Sequence, residues 1–158
     1  MLNQLITGSL VIVATLLMQV AFVGFAIARL TAISDWFRSG NFYAKRIAIL
    51  VAMTLWILAG LSAAVWTWAL FYITMGVFDD IETAVYFSTV AFTTLGFGDI
   101  TLDEKWRLTS ALMAANGLIL FSLNTAFLIE AMRRLFQPID DELTAKSVLD
   151  PSSKRDVS

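Results

Sequence analysis

The sequence predicts an all-α membrane protein in which three spanning helices are accompanied by one short helix that enters the membrane and turns back. Three observations carry this. The 158-residue chain is 58% hydrophobic and only 15% charged, with a mean hydropathy of +0.75, well beyond soluble usage. Its charges fall in short clusters between long apolar runs. Three of those runs are long enough to cross a hydrocarbon core of about 30 Å at about 1.5 Å per helical residue, and a fourth is too short.

The first run extends from Leu5 to about Leu30, interrupted by little beyond Gln19 and small residues. Ala26-Ile27-Ala28 has the small-residue form of a signal-peptide cleavage site. The chain lacks a positive segment before the run, and the run exceeds the usual signal-peptide core, so an uncleaved helix is the preferred reading. The second run, Ile47 to about Met75, is longer than a perpendicular span needs and predicts a tilted helix. Ile81 to Thr94 is apolar but short, bounded by Asp79-Asp80 and a glycine-rich turn. Asp79 and Asp80 suit helix N-caps there, with Glu82 in a favourable first turn. The third span runs from Leu108 to about Met132. The expected division is therefore residues 1–46, an N-terminal helix with its linker; 47–136, a unit of outer helix, short helix 80–93, loop 94–98 and inner helix 107–134; and 137–158, a polar tail with Pro138 and Pro151 that reads as flexible or as a short surface helix.

Lysine and arginine near the span ends set the orientation. The linker carries Arg38, Lys45 and Arg46, with Arg29 at its edge and only Asp35 opposing, and Arg133-Arg134 follow the third span. Both are expected on the cytoplasmic side, with the N-terminus outside. The opposite loops carry Asp79, Asp80, Glu82, Asp99, Asp103 and Glu104 against Lys105 and Arg107, an acidic mouth suited to cations. A net charge of −2 gives no reason to expect nucleic acid as a partner. The absence of cysteine and histidine removes disulfides, thiol nucleophiles, most zinc sites and the usual general base, so an enzyme is not expected. No span has arginine at every third residue, as a charge-carrying voltage sensor needs.

The most specific segment is Thr93-Thr94-Leu95-Gly96-Phe97-Gly98-Asp99. A string of Thr, aliphatic, Gly, aromatic, Gly, Asp arises by chance on the order of once in a million start positions. A cation leaving water needs several oxygens at once, and stacked rings of backbone carbonyls supply them if the backbone twist alternates. Positive φ is cheap only for glycine, which accounts for Gly96 and Gly98.

This segment resembles the selectivity filter of potassium channels, Thr-Val-Gly-Tyr-Gly in its commonest form, and the resemblance extends over roughly Ile47 to Met132, the two-helix pore unit of simple bacterial potassium channels. It implies a tetrameric pore in which the carbonyls of Thr94, Leu95, Gly96 and Phe97, with the Thr94 hydroxyl, hold potassium ions. Gly98 closes the segment, and Thr93, Tyr86, Phe87, Val90 and Asp99 support it. It further implies that Leu118, Phe121, Thr125 and Ile129 line the cavity and inner mouth, and their spacing of three or four residues independently puts them on one helix face. Gly117 falls where the family has its gating hinge, with close helix packing an equally good reading. The N-terminal helix lies outside that unit, resembling the extra N-terminal helix of some small bacterial ion-channel family members, and is expected to brace the pore helices from the lipid side.

Some residues depart from the family pattern. Tyr86-Phe87 stand where many members have Trp-Trp, and Phe97 where tyrosine is commonest; Phe87 and Phe97 lack hydrogen-bond donors, so a filter held mainly by packing is expected. Val90 stands where some members place a glutamate. Asn124 is expected to serve helix contact rather than the cavity, and Glu130 to pair with Arg134. Trp56, Trp66, Trp68 and Tyr72 read as lipid-facing or interfacial anchors.

The resulting expectation is a potassium-selective channel subunit, acting as a homotetramer in the bacterial plasma membrane among its lipids. Potassium ions would occupy the filter, without an organic cofactor or another small-molecule substrate. A weakly selective monovalent cation channel is the nearest alternative, opposed by the intact Phe97-Gly98 pair. A non-conducting regulatory subunit comes next. A transporter with four filter-like loops in one chain is disfavoured by the single loop and the lack of an internal repeat.

Overall fold

The computed structural model describes residues 2–32 and 42–149. They form four helices, α1 (Leu2–Ala32), α2 (Phe42–Thr74), α3 (Ile81–Phe92) and α4 (Arg107–Leu149), and no strand occurs among the described residues. Segments Gln4–Arg29, Ala44–Thr74 and Arg107–Arg133 are each long and apolar enough to cross a bilayer, whereas α3 is not. The protein is an all-α integral membrane protein.

Contacts between helices give their directions. Phe22 and Phe25 of α1 meet Trp56 of α2 at 5.1 and 5.2 Å between ring centroids, while Gln19, earlier in α1, lies against Gly60, later in α2. These two helices are antiparallel. Gly8, Thr15 and Gln19 meet Leu112, Asn116 and Asn124 in the same order, so α1 and α4 run parallel. The starts of α1 and α4 therefore share one face of the bundle, and the ends of α1 and the start of α2 share the other.

The core is organised around α2. Ile57, Leu61, Ala64, Trp68 and Tyr72 recur three or four residues apart and are buried, forming one stripe. This corrects the reading of Trp68 and Tyr72 as lipid-facing anchors: both are fully buried, with Tyr72 edge-on to Phe78 and Phe87 and its hydroxyl 3.3 Å from Thr109 Oγ1. The physical cause is α3, which returns beside α2 and covers the face carrying Trp68 and Tyr72, whereas Trp66 stays half exposed. Trp56 is partly exposed, and its indole N–H donates to the Phe22 carbonyl at 2.9 Å.

Element ends also differ from the sequence reading. Residues 42–46, assigned above to the linker, belong to α2, and Arg46 is buried at its start. Helix α4 continues past residue 134 through Pro138 to Leu149, where a separate tail over 137–158 is expected from composition. Pro138 removes one intrahelical bond without ending the helix. Arg38, Asp35 and Pro151 lie outside the described residues. Glu130 pairs with Arg133 at 3.8 Å, and the side chain of Arg134, its expected partner, lies outside the described residues.

Candidate functional site

Helix α3 begins at Asp80, whose carboxylate accepts from the Thr83 N–H at 2.8 Å and from its hydroxyl at 3.0 Å. Asp80 rather than Asp79 is thus the N-cap. The bonds to Thr83 hold the Asp80 carboxyl below the usual carboxylate range. A group with a lowered folded-state pKa adds stability above its unfolded value and loses it as pH falls through the folded one. The cap is therefore expected to be intact from pH 8 to 5 and to weaken below about pH 4, measured as acid-induced loss of protection in amide exchange over residues 81–92. Asp80→Asn, which caps without charge, should remove most of that pH dependence.

The other end of α3 reaches deep. A Cβ built on Gly117 would collide with the Phe92 carbonyl oxygen and lie 2.9 Å from the carbonyl carbon, so the end of α3 rests directly on the α4 backbone. Gly117 is ten residues beyond Arg107, the start of α4, which places that contact about 15 Å along the helix, near half the depth of a bilayer core. Gly117 is accordingly a close-approach residue.

From that depth the chain turns back through residues 93–98, anchored to the last turn of α3. Thr93 N–H bonds the Thr89 carbonyl and Thr94 N–H the Ala91 carbonyl, both at 3.0 Å. Leu95 and Gly96 N–H groups share the Val90 carbonyl at 3.0 and 3.3 Å, and the Thr93 hydroxyl bonds the Thr89 carbonyl at 2.8 Å. Val90 thus supports the segment through its backbone carbonyl. These carbonyls, which a helix end leaves without partners, fix the start of the loop.

Beyond the anchor the backbone alternates. Thr94, Gly96 and Gly98 have φ of +60°, +56° and +78°, with the intervening residues outside the left-handed region. Glycine takes this conformation freely, but in a β-branched threonine it is a strained outlier. Composition singled out the glycines; the strain at Thr94 has no signature in residue type.

Farther along, the Tyr86 hydroxyl donates to Asp99 Oδ2 at 2.6 Å and ties α3 to the end of the segment. This bond holds the Asp99 carboxyl below its usual range. It qualifies the expectation of a segment held mainly by packing: Phe87 and Phe97 lack donors, but Tyr86 supplies one, and the clue was its aromatic hydroxyl one residue before Phe87. Phe87 packs in the core against Tyr72 and Phe78, while Phe97 is 64% exposed on this chain. An open cleft of about 410 Å³ lies behind the segment, lined by Tyr86, Val90, Ala91, Asp99 and Ala111.

Leu118, Phe121, Thr125 and Ile129 are all exposed along α4, on a side that this chain leaves uncovered, whereas Asn116, Leu120 and Asn124 are buried. The Phe121 ring lies 5.9 Å from Phe92, which brings the upper end of this row to the foot of the 93–98 segment. Asn124 faces α1 and accepts from Gln19 Nε2 at 2.7 Å, as the helix-contact reading requires.

A family model described as ion channel matches residues 56–134. No curated protein and no solved structure gives a significant match. The matched span contains most of α2, all of α3 and the 93–98 segment, and the membrane-spanning part of α4.

Proposed function

The chain belongs to the ion channel family, and from that premise we propose that it is a potassium-selective channel subunit, four copies of which surround one conduction path at Thr94–Gly98. The observation that carries this is the positive φ at every second residue from 94 to 98, held at about mid-membrane depth by the rigid end of α3. Such alternation turns successive carbonyls toward one side, where those of Thr94, Leu95, Gly96 and Phe97, with the Thr94 hydroxyl, replace the water around a potassium ion. One chain supplies a single wall, and exposed Phe97 together with the uncovered row Leu118, Phe121, Thr125 and Ile129 are the surfaces that three further copies would enclose.

Ions approach from an acidic mouth. Asp80 and Asp99, both with lowered pKa, stay ionised at neutral pH and raise the local cation concentration. The lysine and arginine bias puts this mouth outside and the end of α4 in the cytoplasm. The natural setting in this reading is a bacterial plasma membrane.

The test is flux from proteoliposomes containing purified protein. Potassium or rubidium should pass well above sodium, from particles whose native mass is that of four chains. Equal sodium flux would indicate a weakly selective cation channel. No flux from an intact tetramer would mean a non-conducting subunit, and either result ends the potassium proposal.

The Tyr86–Asp99 tie leads to a second expectation. Tyr86→Phe removes the side-chain donor to Asp99 while keeping the ring, so current should decay about threefold faster when external potassium is withdrawn. Phe97→Tyr, which adds a donor beside the path, should slow that decay. Identical decay in wild type and both variants would show that the segment's rigidity comes from packing alone.

A further inference from the structure

Helix α1 meets α4 through polar groups at two levels, on either side of Gly117. Asn116 Nδ2 donates to Thr15 Oγ1 at 2.8 Å, and Gln19 Nε2 donates to Asn124 Oδ1 at 2.7 Å. All four side chains are buried, at 0–3% exposure. Thr15 and Gln19 lie one turn apart on a face of a continuous helix, and the longer glutamine side chain reaches toward the lower partner. Gln19 is also backed by α2, because a Cβ on Gly60 would come within 2.8 Å of its Oε1.

This seam does not resemble one selected for stability alone. Gln19 Oε1, Asn116 Oδ1 and Asn124 Nδ2 are buried without hydrogen-bond partners, and leucine at these positions would avoid that cost in hydrocarbon. What the amides add is direction and register between two helices. The segment they bracket holds the single glycine of α4, where no side chain restrains the backbone.

We propose that α1 is a splint on α4: with its upper end fixed at Asn116 and its lower end at Asn124, it opposes bending of α4 across Gly117 and so restrains residues 118–133. Swinging the lower half of α4 away from its present line requires the Gln19–Asn124 bond to break while Thr15–Asn116 holds. The consequence for conduction rests on the reading of α4 as the lining helix; the mechanical statement does not.

The experiment uses the full chain in lipid nanodiscs and in proteoliposomes, with Gln19→Leu, Asn124→Leu and the exchanged pair Gln19→Asn with Asn124→Gln. Amide exchange over residues 118–133 is expected to quicken about threefold or more in each single variant, as expected for one lost interhelical bond. Protection over 84–100 should remain unchanged. Rubidium flux should rise by a similar factor, and the exchanged pair should restore both. Unchanged exchange in the single variants, or failure of the exchanged pair to restore it, overturns the splint. Loss of protection spread evenly over the protein also overturns it, since α1 would then only hold the fold together. If exchange responds as expected but even wild type carries no flux, the splint stands and the channel reading falls.

Discussion

Gly117→Ala is expected to destabilise the protein by about 3 kcal/mol, a cost at the upper end of overpacking substitutions. The reason is local: the added methyl falls on the Phe92 carbonyl, a backbone atom at the end of α3 that cannot rotate away as a flexible side chain would. Either α3 withdraws from α4 or α4 bends outward, and both displace the 93–98 segment anchored to that turn. Thermal unfolding in detergent measures the effect, with recovery of native-mass particles as a second reading. The sign of the change separates two roles for this glycine. Were Gly117 needed only for flexibility, alanine would strengthen α4 by about 1 kcal/mol and raise the unfolding temperature.

Gly96→Ala is expected to do the reverse, leaving the fold nearly intact while abolishing discrimination between potassium and sodium. A Cβ at Gly96 meets nothing within 4 Å on this chain, so packing is not the obstacle. The obstacle is φ of +56°, where an L side chain costs about 1–2 kcal/mol and favours a turn of the peptide planes. If the Gly96 carbonyl helps to replace a potassium hydration shell, that turn removes an oxygen from the path, and the ratio of potassium to sodium flux should fall to about one. Gly76 provides the control. It has φ of +66° and equally open surroundings but lies in the turn after α2, so Gly76→Ala carries the same backbone strain without touching the segment. Selectivity kept in Gly96→Ala, or lost equally in Gly76→Ala, would remove residue 96 from the ion path.

The elements most legible in the sequence were those written in composition and length. Three long apolar runs can only be hidden in lipid or in a larger assembly, and α1, α2 and α4 are found where the runs are. Asp80, followed by Glu82 and an apolar stretch, marks the start of α3 to within a residue. Trp68 and Tyr72 were misread for a definable reason. On a span that is apolar all round, hydrophobic period does not separate the lipid face from the protein face, and aromatic residues serve equally at either. Asn116 was missed because a single amide in a membrane helix does not reveal its partner. Thr15, on a different helix, supplies it.

By itself the sequence determined that this is a membrane protein with a glycine-alternating, acidic-flanked loop between two spans, because hydrophobic length and the steric freedom of glycine are properties of residues in order. Only the tertiary structure decided which faces of those spans are buried, that Phe92 rests on Gly117 at mid-depth, that Thr94 shares the left-handed backbone of Gly96 and Gly98, and that α1 grips α4 on both sides of Gly117. Each of these depends on two segments distant in the chain arriving at one place, and contact across that distance is set by packing rather than by residue type.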